Sequence, residues 1–202
     1  MLQMNNVKKS FKANHLLESI DLSVHSGDLI HIQGSNGSGK STIFKLICHI
    51  IEPDAGKIEL ANEAVLGALI ENPNFMEDCT MKTNLKFLAS INRNYDEEKV
   101  AKLAEQFHLD YYSKEKLKKY SVGMRQKVGI IQAVMEEQNL ILLDEPTRGL
   151  DADALVVFRQ LITELISDGK AVVIASHDNS AEIPFTKSYL LDKGRLQLQA
   201  ES

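Results

Sequence analysis

The sequence predicts an α/β protein whose sheet is mostly parallel, and three observations support this prediction. Apolar runs at 29–32, 140–143 and 171–175 have the length and composition of buried strands. A helical run at 42–50 follows the first strand, and a segment of helical periodicity at 152–167 separates the other two. Strands connected through helices pair in parallel and are covered on both faces, so they read as apolar runs with little polar alternation.

Shorter patterns predict the remaining elements. These are strands at 20–24, 57–60 and 64–70, an exposed loop from residue 71, a helix at 81–91, and a closing hairpin of strands 188–191 and 195–198. Asp96 can cap a helix whose apolar residues recur on one face from Val100 to Phe107. We expect residues 85–137 to be helical throughout, as an insertion in the α/β chain.

The amino-acid composition is that of an ordinary globular protein, and it argues against a nucleic-acid partner. The 202 residues, 44% apolar and 25% charged, suffice for one sizeable domain with a buried core. A formal net charge of −5 provides no basic surface, so no nucleic-acid partner is expected. The sequence has neither a bilayer-length apolar run nor the apolar core of a signal peptide, so a cytoplasmic location is expected. Cys48 and Cys79 are expected to be reduced and buried, because they form no metal-binding or disulfide pattern.

A glycine-rich loop between the first buried strand and the helix after it matches G-x-x-x-x-G-K-[ST], the pattern of phosphate-binding loops. The loop comprises Gly34, Ser35, Asn36, Gly37, Ser38, Gly39, Lys40 and Ser41, and Thr42 continues it into the helix. Its glycines let backbone N–H groups converge on phosphate oxygens, and the helix N-terminus adds positive potential. We expect Lys40 to reach the β- and γ-phosphates of a nucleotide and the Ser41 hydroxyl to bind Mg²⁺.

Two carboxylates, Asp144 and Glu145, follow the buried strand 140–143. Ligands of open parallel sheets bind at the carboxyl ends of the strands, so both side chains are expected beside the phosphate-binding loop. Asp144 is then the second residue that holds Mg²⁺, and Glu145 is the candidate that orients and polarises the attacking water.

Two further positions carry weaker indications. Ser121 is placed to cap a helix running to about Glu137, and a serine, a glycine and a helix N-terminus together can bind an anion. His177 follows the buried strand 171–175. Taken alone, Ser121 is more often an ordinary cap, and a histidine at a strand end is more often structural than catalytic.

The segments GSNGSGKS, YSVGMRQ, LLDEP, GLD and SHD, in this order, resemble those of nucleotide-binding subunits of ATP-binding cassette (ABC) transporters. The resemblance covers essentially the whole chain. It implies a P-loop NTPase fold in a single domain, 1–202, with a RecA-like core, an N-terminal antiparallel β subdomain and an inserted helical subdomain at about 72–137.

The resemblance also implies roles for individual residues. Phe11, which by itself indicates only packing, stacks on adenine, and His177 contacts the γ-phosphate. The signature segment, consisting of Ser121, Val122, Gly123 and Met124, faces ATP held by the opposite protomer. Asp151 lies in the loop that links the two nucleotide sites.

Two departures from the family pattern concern the site. The signature reads YSVGM where the family usually has Leu-Ser-Gly-Gly-Gln, but it keeps Ser121 and Gly123. Glu71 stands where the family normally has glutamine, so Glu71 is a further candidate near Mg²⁺. Segments such as ALIENPNF resemble those of bacterial drug, bacteriocin or antibiotic exporters.

These features predict an Mg²⁺-dependent ATPase that dimerises around ATP, with itself or a related subunit, and powers a separate membrane-spanning subunit, in an exporter by preference. Through that partner it would be peripheral on the inner face of the cell membrane. One alternative is a soluble cassette ATPase of assembly, repair or translation, although repair members carry long inserted coiled coils and translation members carry two cassettes, and neither feature fits 202 residues. Another is a regulatory nucleotide-binding module without hydrolysis, against which Glu145 and His177 argue.

Overall fold

The computed structural model describes residues 1–12, 14–92, 94–178 and 182–199. The strands are β1 (Leu2–Phe11), β2 (Asn14–Val24), β3 (Leu29–Gln33), β4 (Ala55–Leu60), β5 (Leu66–Leu69), β6 (Leu140–Asp144), β7 (Ala171–Ser176), β8 (Lys187–Asp192) and β9 (Arg195–Leu198). The helices are α1 (Lys40–Ile47), α2 (Met81–Asn92), α3 (Glu97–Gln106), α4 (Val122–Val134) and α5 (Ala152–Ser167). In the described ranges, no helix is both long and apolar enough to span a membrane.

These strands form one sheet in the order β4-β1-β2-β9-β8-β3-β7-β6-β5. Neighbours from β8 to β5 are parallel, which confirms the predicted parallel core. At the other end β4, β1 and β2 are antiparallel, in line with the implied N-terminal β subdomain. The hairpin strand β9 joins the two parts, because it pairs with β8 and meets β2 where Ser19 lies opposite Arg195.

Apolar side chains fill both faces of the parallel strands. On β6, Ile141 and Leu143 belong to the core covered by α2 to α5, whereas Leu140 and Leu142 belong to the core shared with α1 and the antiparallel strands. All four side chains are fully buried. Successive strand residues point to opposite faces, so a strand covered on both sides must be apolar throughout.

The strand β1 was not predicted, because bulges interrupt its alternation. The register with β2 shifts between Met4 and Val7, and Asn6 between them adopts a φ of 48°. Both Met4 and Val7 are nevertheless fully buried. An extra residue in a strand moves the following side chains to the other face, so the period of two is lost.

The prediction of helix throughout 85–137 was wrong at residues 94–96, which precede α3, and again between α3 and α4. There the side chains of Asp110 and Ser113 accept hydrogen bonds from backbone N–H groups two residues ahead, which favours turns over helix. A short 3₁₀ turn, Leu117–Lys119, leads into α4. The caps Asp96 and Ser121 are confirmed, since each side chain accepts backbone hydrogen bonds at the start of its helix.

Candidate nucleotide-binding site

The candidate site lies at the carboxyl ends of the parallel strands. The glycine-rich loop follows β3 and is held at its start by the Gly34 N–H, which donates to the Ser176 carbonyl at 3.3 Å. A Cβ on Gly34 would lie 2.7 Å from the Ser38 hydroxyl oxygen and 3.0 Å from the Leu191 carbonyl oxygen. Gly37 and Gly39 have φ of 80° and 111°, which residues with side chains rarely adopt. The backbone therefore requires glycine at these positions.

Two donors of the loop are suited to an anion. The Lys40 side chain is only 6% exposed, and its ammonium donates to the carbonyl oxygens of Gly34 at 2.7 Å and Ser35 at 3.3 Å. The Ser38 hydroxyl is buried and has no hydrogen-bond partner among the residues that the structure describes. A buried polar atom without a partner is costly, and a phosphate oxygen would satisfy it.

The side-chain oxygens of Ser41 and Asp144, which are the predicted Mg²⁺ ligands, lie next to each other. The Ser41 hydroxyl donates to Asp144 Oδ2 at 2.5 Å, and the same oxygen accepts the Glu71 N–H at 3.3 Å. Burial raises the pKa of the Asp144 carboxyl, and the hydrogen bond from Ser41 opposes this rise.

This pair fits Mg²⁺ that is bound together with phosphate. Hydroxyl and carboxylate oxygens are the ligands Mg²⁺ prefers, and the ion commonly keeps several waters and substrate oxygens. The described ranges contain no cluster of three or more His, Cys, Asp or Glu side chains able to hold a metal by themselves. Ser41 and Asp144 would therefore hold Mg²⁺ when phosphate oxygens complete its shell.

Glu145 is held in an uncommon backbone conformation beside the loop. Its φ is 47°, and its N–H donates to the Ala175 carbonyl at 2.8 Å. Glu145 Oε2 lies 2.9 Å from Nδ1 of His177, while the buried Oε1 lies 3.5 Å from the Lys40 ammonium and has no hydrogen-bond partner in the described ranges. The strained backbone thus directs a carboxylate oxygen toward Lys40 rather than toward solvent.

These groups surround an open cavity of about 500 Å³. The predicted residues that line it are Asn36, Gly37, Gly39, Lys40, Ser41, Thr42, Glu71, Asp144 and Glu145. Gly34, Ser35 and Ser38 belong to the loop but do not line the cavity, and His177 reaches the site through Glu145. Sequence reasoning assigned no role to four lining residues, Leu16, Asn72, Gln126 and Arg148. Asn72 and Gln126 lie inside quoted segments, and Arg148 directly precedes the segment GLD.

Phe11 does not line this cavity. It ends β1, its side chain is 47% exposed, and the Lys9 ammonium lies 5.6 Å from the centre of its ring. The cavity wall on this side is Leu16, whose side chain also packs beside Gly39. The position of Phe11 leaves its implied stacking on adenine a prediction.

The signature segment also lies outside the cavity. The Ser121 hydroxyl accepts the Met124 N–H at 3.1 Å, and Val122 is 65% exposed. Gly123 packs directly on the backbone of Gly149, since a Cβ added to Gly123 would lie 2.2 Å from the Gly149 carbonyl oxygen. The segment therefore does not contribute to the cavity of its own chain, and Val122 is open to solvent.

Loop 145–151 connects α4 with the cavity. Gln126 Nε2 donates to the Glu145 carbonyl at 3.0 Å, and the Lys127 ammonium pairs with Asp151 at 2.9 Å. Asp151 also caps α5 by accepting the Ala154 N–H at 2.8 Å, which, with Lys127, holds the pKa of its carboxyl low. The loop that carries Glu145 is thus fixed from both helices.

Comparisons with known proteins agree with this architecture. Residues 17–148 match the family described as ABC transporter. The chain is 35% identical over 189 residues to the uncharacterized ABC transporter ATP-binding protein YdbJ of Bacillus subtilis, a match that covers 88% of this chain and 61% of YdbJ. It is 28% identical over 184 residues to the lantibiotic transport ATP-binding protein SrtF of Streptococcus pyogenes, covering 88% of this chain and 80% of SrtF.

Solved structures share the fold over nearly the whole chain. One, described as the ATP binding subunit of an ABC transporter, superposes with a TM-score of 0.88 at 25% identity and covers 99% of this chain and 90% of its own. Another, a dimeric ATP-binding cassette in a post-hydrolysis state bound to ADP and Pi, gives 0.87 at 23% identity, with 98% of each chain covered. On the match of residues 17–148, and with the loop geometry described above, this chain belongs to the ABC transporter family.

Proposed function

We propose that the chain binds ATP with Mg²⁺ at this cavity, hydrolyses it, and thereby powers a membrane-spanning partner subunit. The observation that best supports hydrolysis is the Glu145 carboxylate, whose buried Oε1 faces Lys40 at the cavity wall without a hydrogen-bond partner in the described ranges. A carboxylate in that position is poised to accept a hydrogen bond from a water molecule.

Each residue of the site then has a separate task. Lys40 and the loop N–H groups hold the phosphates, and Mg²⁺ held by Ser41 and Asp144 supplies neutralisation of phosphate charge. Glu145 orients the attacking water and accepts its proton at the carboxylate. His177 fixes the Glu145 carboxylate, because its Nδ1 lies 2.9 Å from Oε2. His177 also makes the contact to the γ-phosphate that the family resemblance implies.

The position of the signature segment supports a proposal for assembly. Ser121 and Gly123 do not line the cavity of their own chain, which is consistent with their N–H groups reaching the γ-phosphate held by a second cassette. We propose a head-to-tail pair with twofold symmetry, formed with a second copy or a related subunit. The dimeric structural neighbour and the family match support this arrangement.

The direction of transport and the location are proposed on similarity. SrtF is described as a lantibiotic transport protein, which favours export of a peptide or similar compound. The chain would then be cytoplasmic and peripheral on the inner face of the cell membrane, attached through its membrane-spanning partner. No nucleic-acid partner is proposed.

The test of hydrolysis is Glu145→Gln, which keeps the shape of the side chain and removes its basicity. We expect steady-state ATP turnover to fall at least ~100-fold with ATP affinity retained, because general-base effects are typically of that size. Lys40→Ala should instead weaken ATP binding. Glu59→Gln, on β4 and paired with Lys57, is the matched control that should change neither. Unchanged turnover in Glu145→Gln would contradict the assignment.

The test of assembly uses the same variant. With hydrolysis blocked, ATP should convert Glu145→Gln from monomer to dimer in analytical ultracentrifugation, because the nucleotides bridge the two chains. If the variant stays monomeric with saturating ATP, and adding a related cassette or the membrane-spanning subunit produces no dimer, the proposed pair is wrong.

A further inference from the structure

An ion pair at the edge of the cavity involves the residue at which this chain departs from its family. The Lys45 ammonium donates to Glu71 Oε1 at 2.5 Å. Glu71 lines the cavity, whereas Lys45 does not. The pair is partly solvated, with Lys45 32% and Glu71 56% exposed. Lys45 therefore contacts a residue of the cavity wall, Glu71, without lining the cavity itself.

The backbone of Glu71 is fixed independently of this pair. Its φ is 57°, in the left-handed region, and its N–H donates to Asp144 Oδ2 at 3.3 Å. Exposed ion pairs are usually weak because two long side chains must be ordered. Here one partner is already positioned by its backbone, so less ordering is needed to form the pair.

One face of the helix α1 contacts the carboxyl ends of both β5 and β6. Ser41 and Lys45 are four residues apart and therefore lie above one another on the helix. Ser41 binds Asp144 at the end of β6, and Lys45 binds Glu71 after β5, the parallel neighbour of β6. The pair Lys45–Glu71 thus flanks the proposed Mg²⁺ ligands directly.

We propose that Lys45 is a positioning residue that holds the Glu71 carboxylate against α1 and neutralises it, so that metal-free ATP can also enter the site. The inference rests on the proposed nucleotide binding. The charged side chains that line the cavity are acidic Glu71, Asp144 and Glu145 and basic Lys40 and Arg148. Without Lys45 the Glu71 charge would be uncompensated and would repel phosphate unless Mg²⁺ accompanied it.

The expected effect depends on the charge of the ligand. A unit charge near a partly solvated pocket changes a binding constant by about 1.8-fold for each ligand charge, which is about tenfold for the four charges of ATP and about threefold for the two of MgATP. Lys45→Met should therefore weaken the binding of ATP in EDTA by about tenfold, and that of MgATP by at most about threefold, because Mg²⁺ cancels part of the phosphate charge.

Isothermal titration of the full chain with ATP, in EDTA and in Mg²⁺, measures both affinities. Adding Glu71→Gln to Lys45→Met should restore the wild-type affinities, because losing both charges leaves the same net charge as the intact pair. Lys45→Arg should retain wild-type behaviour. Lys57→Met, which removes an exposed lysine paired with Glu59 at 2.6 Å outside the cavity, is the matched control.

The outcomes separate this inference from the proposed function. Equal ratios of metal-free to metal-bound affinity in wild type and Lys45→Met would overturn the inference alone. So would a Lys45→Met, Glu71→Gln double variant as weak as Lys45→Met, since Lys45 would then act on the phosphate itself. Absence of ATP binding by the wild type would overturn the proposed function and this inference with it.

Discussion

The contact between Gly123 and Gly149 predicts that Gly123→Ala will both destabilise the chain and slow hydrolysis. The added Cβ would lie 2.2 Å from the Gly149 carbonyl oxygen, and Cβ contacts below 3.0 Å essentially do not occur. The two segments must therefore separate by at least 3.0 − 2.2 = 0.8 Å. The obstructing atom belongs to the backbone, so no side-chain rotation can relieve the clash.

The size of the effect follows from what the displaced loop carries. Loop 145–151 is tied to α4 through the Gln126 amide and the Lys127–Asp151 ion pair, so separation at Gly149 strains both. Forced overpacking typically costs ~1–3 kcal/mol of unfolding free energy. A shift of about 1 Å at a catalytic group can cost ~100-fold in rate, and Glu145 begins this loop.

Urea unfolding and steady-state ATP turnover measure the two effects. Val122→Ala is the matched control, because this neighbouring side chain is 65% exposed and should alter unfolding by less than ~0.5 kcal/mol. A Gly123→Ala variant with wild-type unfolding free energy and turnover would refute the reasoning. Substitutions at Gly123 therefore test packing within one chain before they test a contact between two.

Two further predictions concern titrating groups. Burial raises the pKa of Asp144 above its ordinary 3.8, so the folded chain binds this proton more tightly than the unfolded chain, and the free energy of unfolding falls as pH rises through that window. Without nucleotide, Asp144→Asn should therefore have a higher melting temperature than wild type at pH 7. The difference in melting temperature should shrink below pH 3.8, and a lower melting temperature of Asp144→Asn at pH 7 would contradict the prediction. Burial also raises the pKa of Cys48 to about 11. In a Cys79→Ser variant, iodoacetamide should therefore modify Cys48 slowly at neutral pH and faster as the pH rises. Rapid modification at neutral pH would contradict this prediction.

Local patterns in the sequence were enough to predict the elements that have a strong hydrophobic period or that need a particular backbone conformation. The buried strands β6 and β7, the helix α5 and the caps Asp96 and Ser121 were all predicted correctly. Each depends on neighbours in the chain: apolar runs where both sheet faces are covered, or a side chain that satisfies N–H groups two or three residues ahead. The phosphate-binding loop belongs to the same class, because its glycines meet a local backbone requirement.

Other elements could not be predicted from the sequence, because bulges, pairing with distant strands and local side-chain hydrogen bonds determine them. The bulged register of β1 is set by its partners β2 and β4 rather than by its own alternation. Turns between α3 and α4 form because Asp110 and Ser113 bind nearby backbone groups, which competes with helix in a stretch of otherwise helical composition.

The sequence alone determined which residues are the candidates for the chemistry, because the motif order and residue types predict the phosphate-binding loop, Asp144 and Glu145. Only the tertiary structure decided how they meet. The parallel strands β3, β5, β6 and β7 end at one edge of the sheet, which brings side chains from distant segments together at distances no local pattern encodes. The Lys45–Glu71 pair and the Gly123–Gly149 contact arise in this way, since each joins residues 26 apart in sequence.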